Sequence, residues 1–213
     1  MTTIQHRARL ALLATAAALA TIGAQASTVS AIPGGTVAAM PTVNLRTGST
    51  QSLGPSITWS STHGDSVFGY NGGYGFASNG YWDSALTMVG LNTDTGTMTF
   101  AFAEAVSDVG GFINYAPGSG PTATIAVFDT AHQLIESSVV DFATDGVTDS
   151  GKFLGFHEDT ASIGYFTLSN GYIGLTDLTT DTVAAVPEPQ TYALMLGGLG
   201  VMAFIARRRR APR

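Results

Sequence analysis

The chain has 213 residues, 45% of them hydrophobic and only 11% charged, with 26 glycines and no cysteine. That length suits one domain or two small ones, and the lack of cysteine excludes disulfides, thiolate metal sites, iron–sulfur clusters and cysteine nucleophiles. The formal charge of -6 is unevenly spread: residues 27–186 hold fourteen acids against Arg46 and Lys152 alone, a local charge of -12, which argues against nucleic acid or an anionic membrane surface as a partner of this stretch.

The N-terminus has three parts in order. Arg7 and Arg9 are basic, Leu10 to Ile22 is a small-apolar run, and Ala24-Gln25-Ala26 is an A-x-A site. This is the pattern of a secretory signal peptide, residues 1–26, with cleavage expected after Ala26. The apolar run is short for a permanent span, which needs about 20 residues. Residues 27–40, rich in Ser, Thr, Gly and Ala, read as a flexible segment.

From residue 41 to about 180, short runs alternate apolar and polar residues between turn signals. Strands are expected at 42–47, 56–61, 84–91, 97–103, 107–115, 122–129, 133–142, 152–157, 162–169 and 172–179. Met98, Phe100 and Phe102 share one face, as do Ile125 and Val127, and alternation places Trp59 inside with Ile57. No segment keeps a 3.6-residue period with helix caps. The expected fold is all-β, one antiparallel β-sandwich of jelly-roll type, flanked by an N-terminal signal helix and a short C-terminal transmembrane helix.

Residues 67–83 interleave Tyr70, Tyr74, Tyr81 and Trp82 with Gly and Asn. Large amphipathic rings on a pliant backbone suit a recognition loop that stacks on the C–H faces of sugars. The same rings could instead cap the sandwich, with glycine serving only the turns.

Chemistry-bearing motifs are sparse. The chain has no G-x-S-x-G elbow, H-E-x-x-H pair, phosphate loop or dinucleotide fingerprint, and His6, His63, His132 and His157 are scattered. No catalytic residue is assigned. Glu104 with Asp108, and Glu158 with Asp159, read as solvated charges at strand ends. Asp145 and Asp149 mark a polar loop open to a cation but without an EF-hand pattern.

Asn170-Gly171 is a strong two-residue hairpin signal. A hairpin there sets Leu168 opposite Ile173, Phe166 opposite Leu175 and Gly164 opposite Asp177, on one inner face. An inward Asp177 needs a partner. Local hydrogen bonds or a bulge that turns it outward would supply one answer. A structural Ca²⁺ held by Asp177 and loop oxygens would supply another, and apart from that ion no cofactor is expected.

After a linker at 181–186, the chain ends in a second three-part pattern over 187–213: Pro187-Glu188-Pro189, an apolar run from Tyr192 to Ala206, and Arg207, Arg208, Arg209 and Arg210. The arginines would stay cytoplasmic and leave the body outside. Triad, short span and basic cluster, in that order, resemble a PEP-CTERM sorting tail. The resemblance implies recognition by an exosortase and processing near Pro187-Glu188-Pro189. It also implies a Gram-negative, exopolysaccharide-producing host, transient anchoring through the C-terminal helix, and a final place at the cell surface or outside the cell. The stretches Val109–Gly118, Ala123–Asp129 and Tyr172–Leu178 are similar to sandwich bodies that often precede such tails. Three function classes follow: a noncatalytic surface or matrix protein associated with exopolysaccharide or biofilm, which is the expected one; a carbohydrate-binding module using the 67–83 loop; and a secreted glycan-active hydrolase.

Overall fold

The computed structural model describes residues 26–83 and 86–182. The signal segment up to residue 25, the sorting tail with most of its linker, and both expected terminal helices lie outside these residues. No helix among the described residues is long and apolar enough to cross a membrane.

The described chain is almost entirely β. Its strands are β1 (Ser27–Val29), β2 (Thr36–Val37), β3 (Leu45–Arg46), β4 (Gln51–Ser52), β5 (Ile57–Ser61) and β6 (Val67–Tyr70). Next come β7 (Tyr74–Gly75), a single 3₁₀ turn at Ala77–Asn79, β8 (Tyr81–Trp82), β9 (Met88–Gly90), β10 (Thr97–Val106) and β11 (Asp108–Asn114). The last are β12 (Thr124–Asp129), β13 (Leu134–Val139), β14 (Lys152–His157), β15 (Ile163–Ser169) and β16 (Gly174–Asp181). Two antiparallel sheets form a sandwich. The larger, eight-stranded one has the order β1-β14-β11-β16-β9-β6-β3, with β2 added alongside β16, and the smaller, six-stranded one runs β13-β12-β15-β10-β5-β4.

Alternation decides what fills the space between the sheets. Trp59, Met98, Phe100, Val127, Phe166 and Leu168 from the smaller sheet meet Phe68, Val89, Ile113, Phe156, Leu175 and Leu178 from the larger, and all are buried. Phe166 stacks on Phe100 at 6.2 Å within its sheet and meets Phe156 edge-on at 6.3 Å across the core. Each such side chain contributes about 1.5–3 kcal/mol of burial.

Residues 27–40 are not a loose leader. β1 pairs with β14, Thr28 opposite Phe156, and β2 pairs with β16, Val37 opposite Thr179. Ala26 is in the core and Ala38 and Met40 pack against it. The segment looked soft because its strands are too short to show a period. Small side chains suffice where a strand only closes a sheet margin.

The Asn170-Gly171 hairpin is also corrected. β15 pairs with β10 and β12, whereas β16 pairs with β11, β9 and β2, so the two strands belong to opposite sheets. Asn170 and Gly171 do take positive φ, 67° and 63°, but Tyr172 follows at 51°. The N–H groups of Asn170, Gly171 and Tyr172 donate to the carbonyls of Gly96, Asp94 and Thr93. With those donors committed to the 93–96 loop, the chain crosses to the other sheet.

Asp177 consequently does not face the core. On β16, Thr176 lies opposite Phe112 and Thr179 opposite Gly110, so Asp177 and Leu178 together face Gly111. This is a β-bulge, and the extra residue turns the carboxylate outward. Asp177 has φ 51° and is exposed.

Candidate functional site

Residues 71–83, which follow β6, form a third layer on the outer face of the larger sheet. Gly90 and Gly174 are cross-strand partners on that face. A Cβ at Gly174 would lie 2.7 Å from Met88 Cε and 3.0 Å from the ring of Phe76; one at Gly90 would lie 2.8 Å from Met88 Cε. The missing side chains leave a flat patch, and Tyr74, Phe76, Trp82, Met88 and Val67 fill it as a second small core, with Tyr70, Leu86 and Phe112 packed against it. Phe76 meets Trp82 at 4.8 Å edge-on and Tyr74 at 5.1 Å, and Trp82 stacks on Phe112 at 5.9 Å.

A second loop, residues 140–151, clasps the first. Trp82 Nε1 donates to the Ser150 carbonyl at 2.7 Å, the Asp83 N–H to Asp149 Oδ1 at 3.0 Å, and the Asp149 N–H to the Tyr81 carbonyl at 2.8 Å. Two buried amides tie the loops to the sheet. Asn114 Nδ2 donates to the carbonyls of Asn79 and Ser150, and Asn79 Nδ2 donates to that of Phe142. Sequence reading missed both hubs.

The four aromatic candidates are therefore not a shared stacking surface. Trp82 is fully buried and Tyr74 nearly so, at 8% exposure; Tyr70 is half-buried, and Tyr81 alone is open, at 49%. Burial also pushes the Tyr74 phenol well above its ordinary pKa. These rings hold the layer together.

The polar-loop acid Asp145 is likewise committed, whereas Asp177 is exposed. Asp145 accepts from the Ser150 hydroxyl at 2.7 Å and the Val147 N–H at 3.3 Å, and these bonds hold its carboxyl below the usual range. Asp177 sits beside a depression whose other lining residues include Ala38, Met40, Leu86 and Thr87 but no second acid. Among the described residues no group of three His, Asp or Glu is placed to hold a metal ion. A Ca²⁺ ion does not fit Asp177 and its surroundings.

Asp108 and Glu158, expected at solvated strand ends, are buried instead, at 8% and 1% exposure. β11 and β14 place Asp108 opposite His157. Asp108 Oδ1 lies 2.7 Å from His157 Nδ1, while its Oδ2 accepts from the Ser107 hydroxyl at 2.8 Å. The Ser107 hydroxyl also donates to the Asp181 carbonyl at 3.1 Å, and the imidazole Nε2 is 3.8 Å from Asp159 Oδ1. These bonds tie the ends of β11, β14 and β16 together.

Among the described residues, neither oxygen of Glu158 has a hydrogen bond of full geometry, the Ser162 hydroxyl being the near neighbour. Burial raises its pKa, with Asp159 and Glu136 adding to the rise and the Ser162 hydroxyl and His157 opposing it. A raised folded pKa means that the native state holds the proton more tightly than the unfolded chain. Stability should therefore fall as pH climbs from the ordinary glutamate value of about 4.3 through the raised one, with the full cost present above it. Glu158→Gln is expected to melt above the parent at pH 7, with the gap closing as the medium is acidified. Thermal melts at several pH values check this; a constant gap would remove the ionisation argument.

Comparison with known proteins connects these observations to a family motif. Residues 185–210 match the PEP-CTERM protein-sorting motif. No curated protein matches the chain. Among solved structures, the chain is 16% identical to a lectin domain of lectinolysin complexed with Lewis B antigen, over 47% of this chain and 74% of that one, at a TM-score of 0.31. It is also 16% identical to a His 62 mutant of the lectin binding domain of lectinolysin complexed with Lewis b, over 68% of this chain and all of that one, at a TM-score of 0.35. TM-scores this low assign neither a site nor a ligand to this chain.

Proposed function

We propose, from the PEP-CTERM sorting motif that this chain carries at residues 185–210, that it is an exported, noncatalytic protein of the cell surface or extracellular matrix, processed by an exosortase and associated with exopolysaccharide or biofilm. The carrying observation is the place of that motif relative to the fold. The last described strand ends at Asp181 and the motif begins at residue 185. The tail thus begins just after the described sandwich, and cutting near Pro187-Glu188-Pro189 would sever none of the described strands. The two prolines fix φ and favour an extended triad suited to an enzyme's groove. The committed polar groups of the loop layer and of the Asp108–His157 pair support a structural body.

Intact-mass measurement on protein recovered from the cell surface or medium tests the reading. The expected mature chain lacks the segment after the triad. A recovered mass that keeps Arg207 to Arg213 would overturn processing. Replacing Pro187 and Pro189 with alanine should leave full-length protein in the inner membrane.

A further inference from the structure

The two sheets differ on their outer faces. The larger is covered by the loop layer, whereas the smaller is bare over its centre. There a depression of about 440 Å³ opens, within the range of about 300–1,000 Å³ seen for small-molecule sites. Two cross-strand rows make its floor. Ser60, Thr99 and Thr167 form one, and Thr58, Ala101 and Tyr165 form the other. Ala101, small and central, lowers the floor between Thr58 and Tyr165. The side-chain hydroxyls of Thr58, Ser60 and Thr99 make no hydrogen bond within the described protein, which leaves three neighbouring donor–acceptor groups for a ligand.

One side of the depression carries a prepared ring pair. His132 lies over Tyr165 with centroids 4.0 Å apart and planes tilted by 30°. The turn that presents it is fixed by Asp129, whose Oδ1 accepts from the N–H groups of Ala131 and Gln133, both at 2.8 Å, and whose carbonyl accepts from His132 N–H at 3.0 Å. His132 takes φ 62° in this turn, and it is exposed. No Asp, Glu, Lys or Arg lines the depression, although residues 27–186 carry -12 overall. An uncharged, hydroxyl-rich floor beside stacked rings, on an acidic body that repels anions, matches one chemistry. That chemistry is a neutral sugar ring, with apolar C–H faces for the aromatic wall and hydroxyls for the threonine rows.

We infer that this face of the smaller sheet is a binding site for a neutral saccharide unit of a polysaccharide, with His132 and Tyr165 as its stacking wall and Thr58, Ser60 and Thr99 as its hydroxyl readers. The inference rests on the surface or matrix location proposed above for its setting, and it deepens that reading by naming a partner class.

The test titrates the full chain, purified in detergent, with cellohexaose, laminarihexaose, mannohexaose and chitohexaose, and with hexagalacturonate as the anionic control. Calorimetry is the appropriate readout, because Trp59 and Trp82 are both fully buried and give little fluorescence response to a ligand on this face. At least one neutral hexasaccharide should bind, and hexagalacturonate should not. His132→Ala should weaken binding about three- to tenfold, and Ala101→Trp, which fills the floor, should abolish it with the melting temperature kept. If Ala101→Trp does not fold, His132→Ala and Thr99→Val decide, both being changes at the surface. Failure of every neutral probe, preference for hexagalacturonate, or parental affinity in the folded variants would overturn the site. The mass measurement on the tail is independent: a processed chain that binds no neutral glycan sinks this inference alone, and a glycan-binding chain with an intact tail sinks the processing reading alone.

Discussion

Trp82→Ala is expected to destabilise the protein by about 3–5 kcal/mol, the usual cost of emptying a buried aromatic site. The ring is fully buried. It meets Phe76 at 4.8 Å and Phe112 at 5.9 Å, and its Nε1 holds the Ser150 carbonyl. Removing it opens a cavity under the loop layer, loosens loop 140–151, and leaves that carbonyl with Asn114 Nδ2 as its remaining donor among the described residues. The cavity resists collapse because Phe112 belongs to a sheet strand and cannot follow. Trp82→Phe should recover much of the packing but not the hydrogen bond, and should fall between alanine and parent. Denaturant unfolding of the three proteins checks the order. An alanine variant as stable as the parent would mean that the layer is held by its backbone alone.

Gly69→Ala is the second large effect. Gly69 sits at φ 57° in β6, where the register against β9 slips between Val67 and Tyr70. Its carbonyl accepts from both Val43 and Asn44 N–H, so the neighbouring chain is drawn close. A Cβ there would collide with the backbone carbonyl oxygen of Pro41 and come within 2.8 Å of Val43. The left-handed conformation costs an alanine about 1–2 kcal/mol, and displacing packed neighbours costs about 1–3 kcal/mol more. The expected loss is therefore on the order of 2–5 kcal/mol. Gly64→Ala is the control, since nothing lies within 4 Å of its Cβ position. Equal melting temperatures for the two variants would refute the strain argument.

Much of the sandwich could be read from alternation because its long strands have one face in the core. Ile57 and Trp59, and Met98 and Phe100, are inward as their spacing requires. The strands β1, β2, β4, β7 and β8, of two or three residues each, escaped notice, since a period cannot be seen in so short a run, whereas β3 and β9 fall within the expected 42–47 and 84–91. The crossing at Asn170 escaped for a different reason. Leu168 and Ile173 point inward whether their strands are neighbours in one sheet or face each other across the core, so burial cannot tell the two apart. Turn chemistry fixes only the local bend, and the 93–96 loop decided the rest. Composition identified 67–83 as unusual, but rings and glycines serve a binding loop and a packed layer equally. The deciding feature, the Gly90–Gly174 pair, is distant in sequence from the aromatics it accommodates. Asp108 and Glu158 show the same limit for charges, since their burial follows from where the strand ends converge. The open face of the smaller sheet was visible only as scattered threonines until register put Thr58 beside Ala101 and Thr99 beside Thr167.

The position of β16 has a consequence for the timing of folding. It is the last strand of the described chain, yet it lies inside the larger sheet, with β11 on one side and β9 on the other. Until residues 174–181 arrive, that sheet is two fragments, β1-β14-β11 and β9-β6-β3, with no strand pairing between them and with β2 still lacking its β16 partner. A chain that emerges N-terminus first therefore cannot close its body before nearly all of it has been delivered. Contacts between such distant segments form slowly. The sandwich is thus assembled late, shortly before the sorting motif at residues 185–210 follows. An early cut that removed β16 along with the tail would leave two half-sheets rather than a shortened protein.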